Sequence, residues 1–411
     1  MIRRFCLYGF LKNQRYFEPF IILAFLEKGL TFLDIGWLVG FREISILVLE
    51  IPSGALADVF GRRRSMIFSF VSYIISFVLF ALASSMSLLM FAMFFFAVGD
   101  AFRTGTHKAM IFEWLRLENR LDERTKVYGF TRSWSKYGSA ISSLVAGALV
   151  MVSGTFTVIF WLSIVPYLLN LVNFLGYPKT LEGKQNTDAS LGKAISMTGR
   201  AFRESMTRSG LRGLLVESMM LEGVFKVTSG YLQPVLKSLA LGLPFFAVGM
   251  APDQRSAMLI GAVYFIYFLV MGFASQRAHH WADRLGGEEP LTRLMWVLNL
   301  VIFLLLGQFT LMGITGMVVV AFIALGMVQN TFRPAQISRF NRESSPEMAA
   351  TILSIESQSK SLAAAIMAPV LGWTVDRGVA GMTTNVTGFW PIAALGAGVS
   401  AAVLVYRLIR K

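Results

Sequence analysis

Apolar stretches of roughly 18 to 25 residues recur along this chain, separated by short polar turns. A helix rises about 1.5 Å per residue, so each stretch is long enough to cross a hydrocarbon layer of about 30 Å. Of the 411 residues only 15% are charged, against about 25% in an average soluble domain. The chain therefore reads as an all-α membrane protein. Twelve spans are expected, near 13–33, 35–57, 65–85, 88–113, 128–151, 155–176, 213–240, 256–277, 291–312, 315–339, 347–373 and 388–408. Glu18, Glu27 and Lys28 interrupt the first of them.

A net charge of +14 can signal nucleic-acid binding. Here Lys and Arg gather in turns on one side of the spans, as cytoplasmic loops do. Arg3, Arg4, Lys12 and Arg15 lead the chain, and Arg62, Arg63 and Arg64 follow the second span. Arg116, Arg120, Arg124 and Lys126 follow the fourth, with Arg277, Arg284, Arg293, Arg339, Arg342, Arg407, Arg410 and Lys411 on the same side. The alternate turns, such as ALASSMS and LMGITGM, carry almost no positive charge. Both termini are expected in the cytoplasm, with the protein multi-pass in a cell membrane, bacterial inner membrane being the simplest setting. No nucleic-acid partner is expected. The start, MIRRFCLYGFLKNQR, has no small-residue cleavage site, so no cleaved leader is expected. The single cysteine, Cys6, excludes an intramolecular disulfide.

The longest polar segment divides the spans six and six. Three regions are expected: 1–176 as a first six-helix bundle, 177–212 as a cytoplasmic linker with an amphipathic helix, and 213–411 as a second bundle. In the linker, basic residues alternate with Leu191, Ile195, Met197, Phe202 and Met206, which suits a helix on the membrane surface. The halves echo each other. Ala57, Asp58 and Gly61 return as Ala282, Asp283 and Gly286, and Gly147 returns as Gly372, each 225 residues on. Gly99 returns as Gly326 after 227. Six spans per copy is an even number, so the repeats are parallel.

At the second-to-third turn, Gly54, Leu56, Ala57, Asp58, Gly61, Arg62 and Arg63 match a known signature. On that motif, the span count and the repeat order, the whole chain resembles the major facilitator superfamily. The resemblance implies twelve helices in two parallel six-helix repeats, rocking about a central site. It also implies a gating role for Gly54, Asp58, Gly61, Arg62 and Arg63, with Asp283 and Gly286 as the degenerate copy. Asp58 would dock by the start of span eleven, where Ser345 and Pro346 offer an N-cap and first helical residue. Asp283 would face the start of span five, beside Asp122 and Glu123. Motifs of the drug-exporting branches are absent: Phe95 stands where they carry Arg, and GSAISSLVAGALV lacks their proline.

Ionisable groups at membrane depth are costly and tend to face a cavity or pair. Arg42, Arg103, Arg132, Lys136 and Asn330 are the candidate substrate-binding residues. Arg132 and Lys136, like charges one turn apart, need acids or an anion between helices. Glu43, Glu222 and Glu356 are the candidate proton-coupling residues, since burial brings carboxyl groups toward physiological titration. Glu222–Lys226 and Glu356–Lys360 have the spacing of intrahelical ion pairs. The expected function is secondary active transport of a small solute, proton-coupled, with export of a metabolite or drug favoured. The alternatives are uptake or exchange of an organic anion, and lipid flipping. No enzymatic chemistry is legible: the sequence holds no metal-ligand spacing and no phosphate-binding loop. No cofactor is expected. A small molecule, a proton or other ion and membrane lipids are the expected partners of a monomer.

Overall fold

The computed structural model describes residues 1–120, 123–182, 191–244, 246–247, 249–345, 348–380 and 386–409, and the side chains at 55, 58, 124–126, 191, 193, 194, 349 and 350 fall outside that description. Among the described residues the α-helices, in chain order, are α1 (Ile2–Lys12), α2 (Ile21–Glu27), α3 (Phe32–Phe60), α4 (Arg62–Leu82), α5 (Met86–Arg103), α6 (Thr106–Leu117), α7 (Arg124–Ser153) and α8 (Val158–Leu175). There follow α9 (Leu191–Thr207), α10 (Ser209–Thr228), α11 (Leu232–Gly242), α12 (Pro252–Leu285), α13 (Glu288–Leu311), α14 (Thr315–Glu343), α15 (Ala349–Val379) and α16 (Trp390–Ile409). Nine helical stretches among the described residues are long and apolar enough to cross a membrane, α5 and α6 counting as one. The other crossings are α1 with α2, α10 with α11, and α3, whose Arg42, Glu43 and Glu50 dilute its apolar run. Val152, Trp161, Val172 and Leu304 stand exposed around the outside, as lipid-facing side chains do.

Three crossings are broken rather than continuous. The first begins at Ile2, well before the expected start at 13, and is interrupted between Lys12 and Ile21. Phe5, Tyr8 and Leu11 form a buried stripe on α1, while Arg3 and Arg4 stay exposed. Asn13 donates to the Gly9 carbonyl and Gln14 to the Gly138 carbonyl, at 2.7 and 3.1 Å. The fourth breaks at Gly105, φ 78°. Ser53, Ser65 and Thr104 donate to the Ala101, Phe102 and Asp100 carbonyls around that break. The seventh passes through a 3₁₀ turn at Ser229–Tyr231. Non-helical backbone at membrane depth persists only where it lines a cavity or is satisfied by its neighbours.

The 225-residue echo reappears as contact geometry. α3 packs on α15, and α7 packs on α12. A Cβ at Gly36 would stand 2.5 Å from the Ala368 carbonyl oxygen; at Gly261 it would stand 3.1 Å from that of Ser143. Positions 36 and 261, like 143 and 368, are 225 apart. Gly372 lies so close to Phe32 that a Cβ would sit 2.2 Å from its carbonyl oxygen. These contacts all fall at the end away from the chain termini. At the terminal end a Cβ on Gly54 would meet nothing within 4 Å. Asp376 of α15 strengthens the far end by accepting from the first amides of α3, Phe32 and Leu33, at 2.9 and 2.8 Å. The linker helix α9 buries Ala201 and Ser205 while Ile195, Met197 and Phe202 stay exposed. It touches α3, α10 and α15.

Glu27 holds the start of α8, accepting from the Phe156 and Thr157 amides at 3.0 and 2.9 Å and from the Thr157 hydroxyl. Glu27→Ala is expected to cost about 1–2 kcal/mol, the range for a lost cap. A lowered melting temperature in detergent, partly restored by Glu27→Gln, checks this.

Candidate functional site

The first and third breaks meet around a cavity of about 320 Å³ between the halves of the chain. Arg15 and Glu18 reach it from the first break, Asp100 from the helix before the second, and Gly230 and Tyr231 from the third. Arg42 of α3 and Lys226 of α10 complete its charged wall. Sequence reasoning missed Arg15 and Gln233 as members of this wall. Gln233 accepts from the Ile22 amide at 2.8 Å and donates to the Glu18 carbonyl at 2.9 Å, tying α11 to the first crossing.

Beside the cavity lies a continuous charge network. Glu43, fully buried, accepts from Arg42 at 2.6 Å and from Lys226. Lys226 also reaches the Ser361 hydroxyl at 3.5 Å. One turn away on α10 and α15, Glu356 is held by Arg333, by Ser218 and by Lys360, the last at 3.0 Å. Glu222 stands 3.9 Å from both Arg333 and Lys360. The Glu356–Lys360 pair thus forms within α15. Lys226, at the spacing to pair with Glu222, instead crosses to Glu43 of the other half. Four cations (Arg42, Lys226, Arg333, Lys360) face three carboxylates (Glu43, Glu222, Glu356). A fourth carboxylate, Glu50 of α3, accepts from Ser354 at 3.2 Å and lies within electrostatic reach of Lys226 and Lys360, so the eight groups balance when all are ionised.

The five candidate substrate residues do not converge. Arg42 lines the central cavity. Arg103 pairs with Asp100 at 2.8 Å, and Tyr73 donates to the same carboxylate at 2.5 Å. Arg132 shares a second cavity with Arg103. Lys136 turns toward α12 and donates to the Gly272 carbonyl at 3.1 Å. Asn330 donates to Gly326 of its own helix at 3.0 Å.

In the signature turn, Gly61 joins α3 to α4 with φ 97°, a left-handed value that favours glycine. Arg63 donates to the Phe174 and Leu175 carbonyls at 3.0 and 2.8 Å and pairs with Glu182 at 3.7 Å. A cation on unsatisfied carbonyls at a helix C-terminus is a favourable placement, and here it binds α4 to α8 within one half. Arg62 is half-buried and Gly54 exposed. The Asp58 side chain, Asp122 and Pro346 lie outside the described residues. α15 starts at Ala349 with Met348 as its N-cap, so Ser345 does not cap it. Asp283 is exposed, and Gly286 ends α12 at φ 84°. Among the described residues no three of His, Cys, Asp and Glu are placed to hold a metal ion.

Comparison with known proteins places this arrangement among transporters. The family described as Major Facilitator Superfamily matches residues 13–366. An uncharacterized MFS-type transporter of Bacillus subtilis (strain 168), YxaM, is 33% identical over 90 residues. That alignment spans 22% of this chain and 23% of the relative. The crystal structure of the nucleoside transporter NupG superposes with a TM-score of 0.75 at 16% identity, covering 99% of this chain and 96% of the other. A POT family transporter in complex with 5-aminolevulinic acid gives 0.71 at 14% identity, covering 100% and 95%. At such identities the likeness shows the fold.

Proposed function

The chain belongs to the major facilitator superfamily, a multi-pass membrane transporter, and on that premise we propose that it carries a small organic anion by proton-coupled alternating access. Two cations of the central wall carry this reading, because Arg42 and Lys226 line the cavity while the carboxylate they share, Glu43, does not. An anion entering that cavity meets both cations in a low-dielectric site, where such attraction is strong. The proposed movement is a rocking of two bundles, 1–176 and 213–411, joined by the linker 177–212. Both termini are proposed to face the cytoplasm, since the basic turns share their end. The far-end seams at Gly36 and Gly261 then close the outside.

Glu222 is the proposed proton site. Glu43 and Glu356 each touch two cations, whereas the cations nearest Glu222 stand 3.9 Å away. Purified protein in liposomes, given an imposed pH gradient and a panel of organic acids, amines and neutral solutes, tests both parts. Gradient-driven accumulation of an organic acid is expected, and its direction distinguishes export from uptake. Glu222→Gln is expected to remove gradient-driven accumulation while leaving exchange across equal pH. Accumulation that persists in this variant returns Glu222 to a structural role. Movement of labelled lipid with no aqueous solute moved would favour flipping instead.

A further inference from the structure

A second cavity, of about 380 Å³, lies in the first half between α1, α6 and α7. Lys12, Arg103, Lys108 and Arg132 line it, and no carboxylate among the described residues does. Lys12 is within electrostatic reach of Arg103 and Arg132, which repel it, and of Asp100, which attracts it but does not line this cavity. Lys108 sits over the rings of Phe112 and Tyr128 at 5.6 and 5.5 Å, and Lys12 over Tyr8 at 6.0 Å. Aromatic faces position such ammonium groups without neutralising them. Arg103 has a carboxylate partner, but Asp100 lies on the wall of the central cavity.

The break in the fourth crossing adds a second feature. Gly105 lies on the cavity wall, so the N-terminus of the twelve-residue α6 opens there, with no acidic residue in its first turn. Unsatisfied amides and the helix dipole favour an anion at such a point. His107, in that first turn, provides an independent pointer. It is 9% exposed, stacked on Tyr8 at 3.7 Å, and its Nε2 is buried with no hydrogen-bond partner. It lines the same cavity. Buried polar atoms are rarely left unpaired without a reason.

We infer that this cavity is a second anion site, separate from the central one, for a compound bearing a phosphate or similar oxyanion. The cations meet its charge, and the His107 imidazole hydrogen-bonds to it through the ring nitrogen now idle. Arg103 stands between the two cavities, so an oxyanion here competes with Asp100 for its guanidinium. Occupancy of the second site thereby alters the wall of the first.

The test is inorganic phosphate, with sulfate as a second probe, titrated into the full chain in neutral detergent and read by calorimetry. Saturable binding of both is expected. Arg132→Gln and Lys12→Gln are each expected to weaken it about tenfold, as loss of one charge-assisted contact does. Arg132→Lys should keep most of the affinity, which separates lost charge from lost folding. Arg277→Gln, on α12 and outside the cavity, should change nothing. Absent binding, or equal weakening by Arg277→Gln, overturns the site. Nanodiscs of phosphatidylcholine, with and without phosphatidylglycerol, identify the source. Displacement of phosphate by phosphatidylglycerol makes a lipid headgroup the natural ligand, and unchanged binding makes it a free anion; both outcomes support the site. Binding is read without a gradient, so its failure leaves the transport reading standing.

Discussion

Gly372→Val is expected to hold the far end open and to lower flux by at least about fivefold. A Cβ at this position meets the Phe32 carbonyl oxygen at 2.2 Å and the Leu33 Cα at 2.9 Å. Both neighbours are backbone, so no rotamer change relieves the clash and α3 must move away from α15. Asp376, one turn further along α15, would then lose its hold on the Phe32 and Leu33 amides. Overpacking of this kind costs about 1–3 kcal/mol, which is about fivefold to 150-fold in the closed population. Spin labels on α3 and α15 at the far end, in a Cys6→Ser background, read the separation directly. An unchanged distance distribution would show that the seam accommodates the side chain and would remove its assigned closing role.

The second large effect is an asymmetry. Glu43→Gln is expected to be severely destabilising, because it leaves Arg42 and Lys226 without the buried carboxylate they share. Removing one partner from a buried ion pair costs about 3–5 kcal/mol, since an uncompensated charge remains. Lys226→Met should be much milder, as it leaves Arg42 and Glu43 matched. The double variant should recover part of the loss of Glu43→Gln, the non-additivity that contacting residues show. Yield of monodisperse protein and melting temperature in detergent measure the order. Equal damage from both single variants would falsify the sharing of Glu43 by Arg42 and Lys226.

Much of this fold was legible because membrane crossing leaves so strong an apolar signature. The limits of the reading came from charges and breaks. The first helix starts at Ile2, earlier than the expected span from 13, because Phe5, Tyr8 and Leu11 pack inward while Arg3 and Arg4 stay exposed beside them. The break at Thr104–Gly105 has no proline to announce it. The Gly147–Gly372 echo was visible as a repeat, but its meaning as a pair of seams needs the facing residues Gly261 and Phe32. Asp376 gave no signal, because its partners lie 343 and 344 residues away. At the charged centre, spacing along one helix found Glu356–Lys360 and missed Lys226–Glu43. Helical periodicity reports neighbours on one helix and is silent about the helix packed against it.

The charges beside the central cavity also bear on the electrical behaviour of the carrier. Where two bundles swing around a fixed site, a group left at mid-membrane changes the aqueous compartment it faces, and so senses the potential. One elementary charge is worth about 2.3 kcal/mol per 100 mV. With Glu222 protonated, an empty carrier has a net positive centre and would feel the resting voltage during its return stroke. Loaded with a monoanion in that state, the same centre would be neutral and its stroke nearly voltage-blind. Arg42, Glu43 and Lys226 would thus set the carrier's response to membrane potential as well as what it binds.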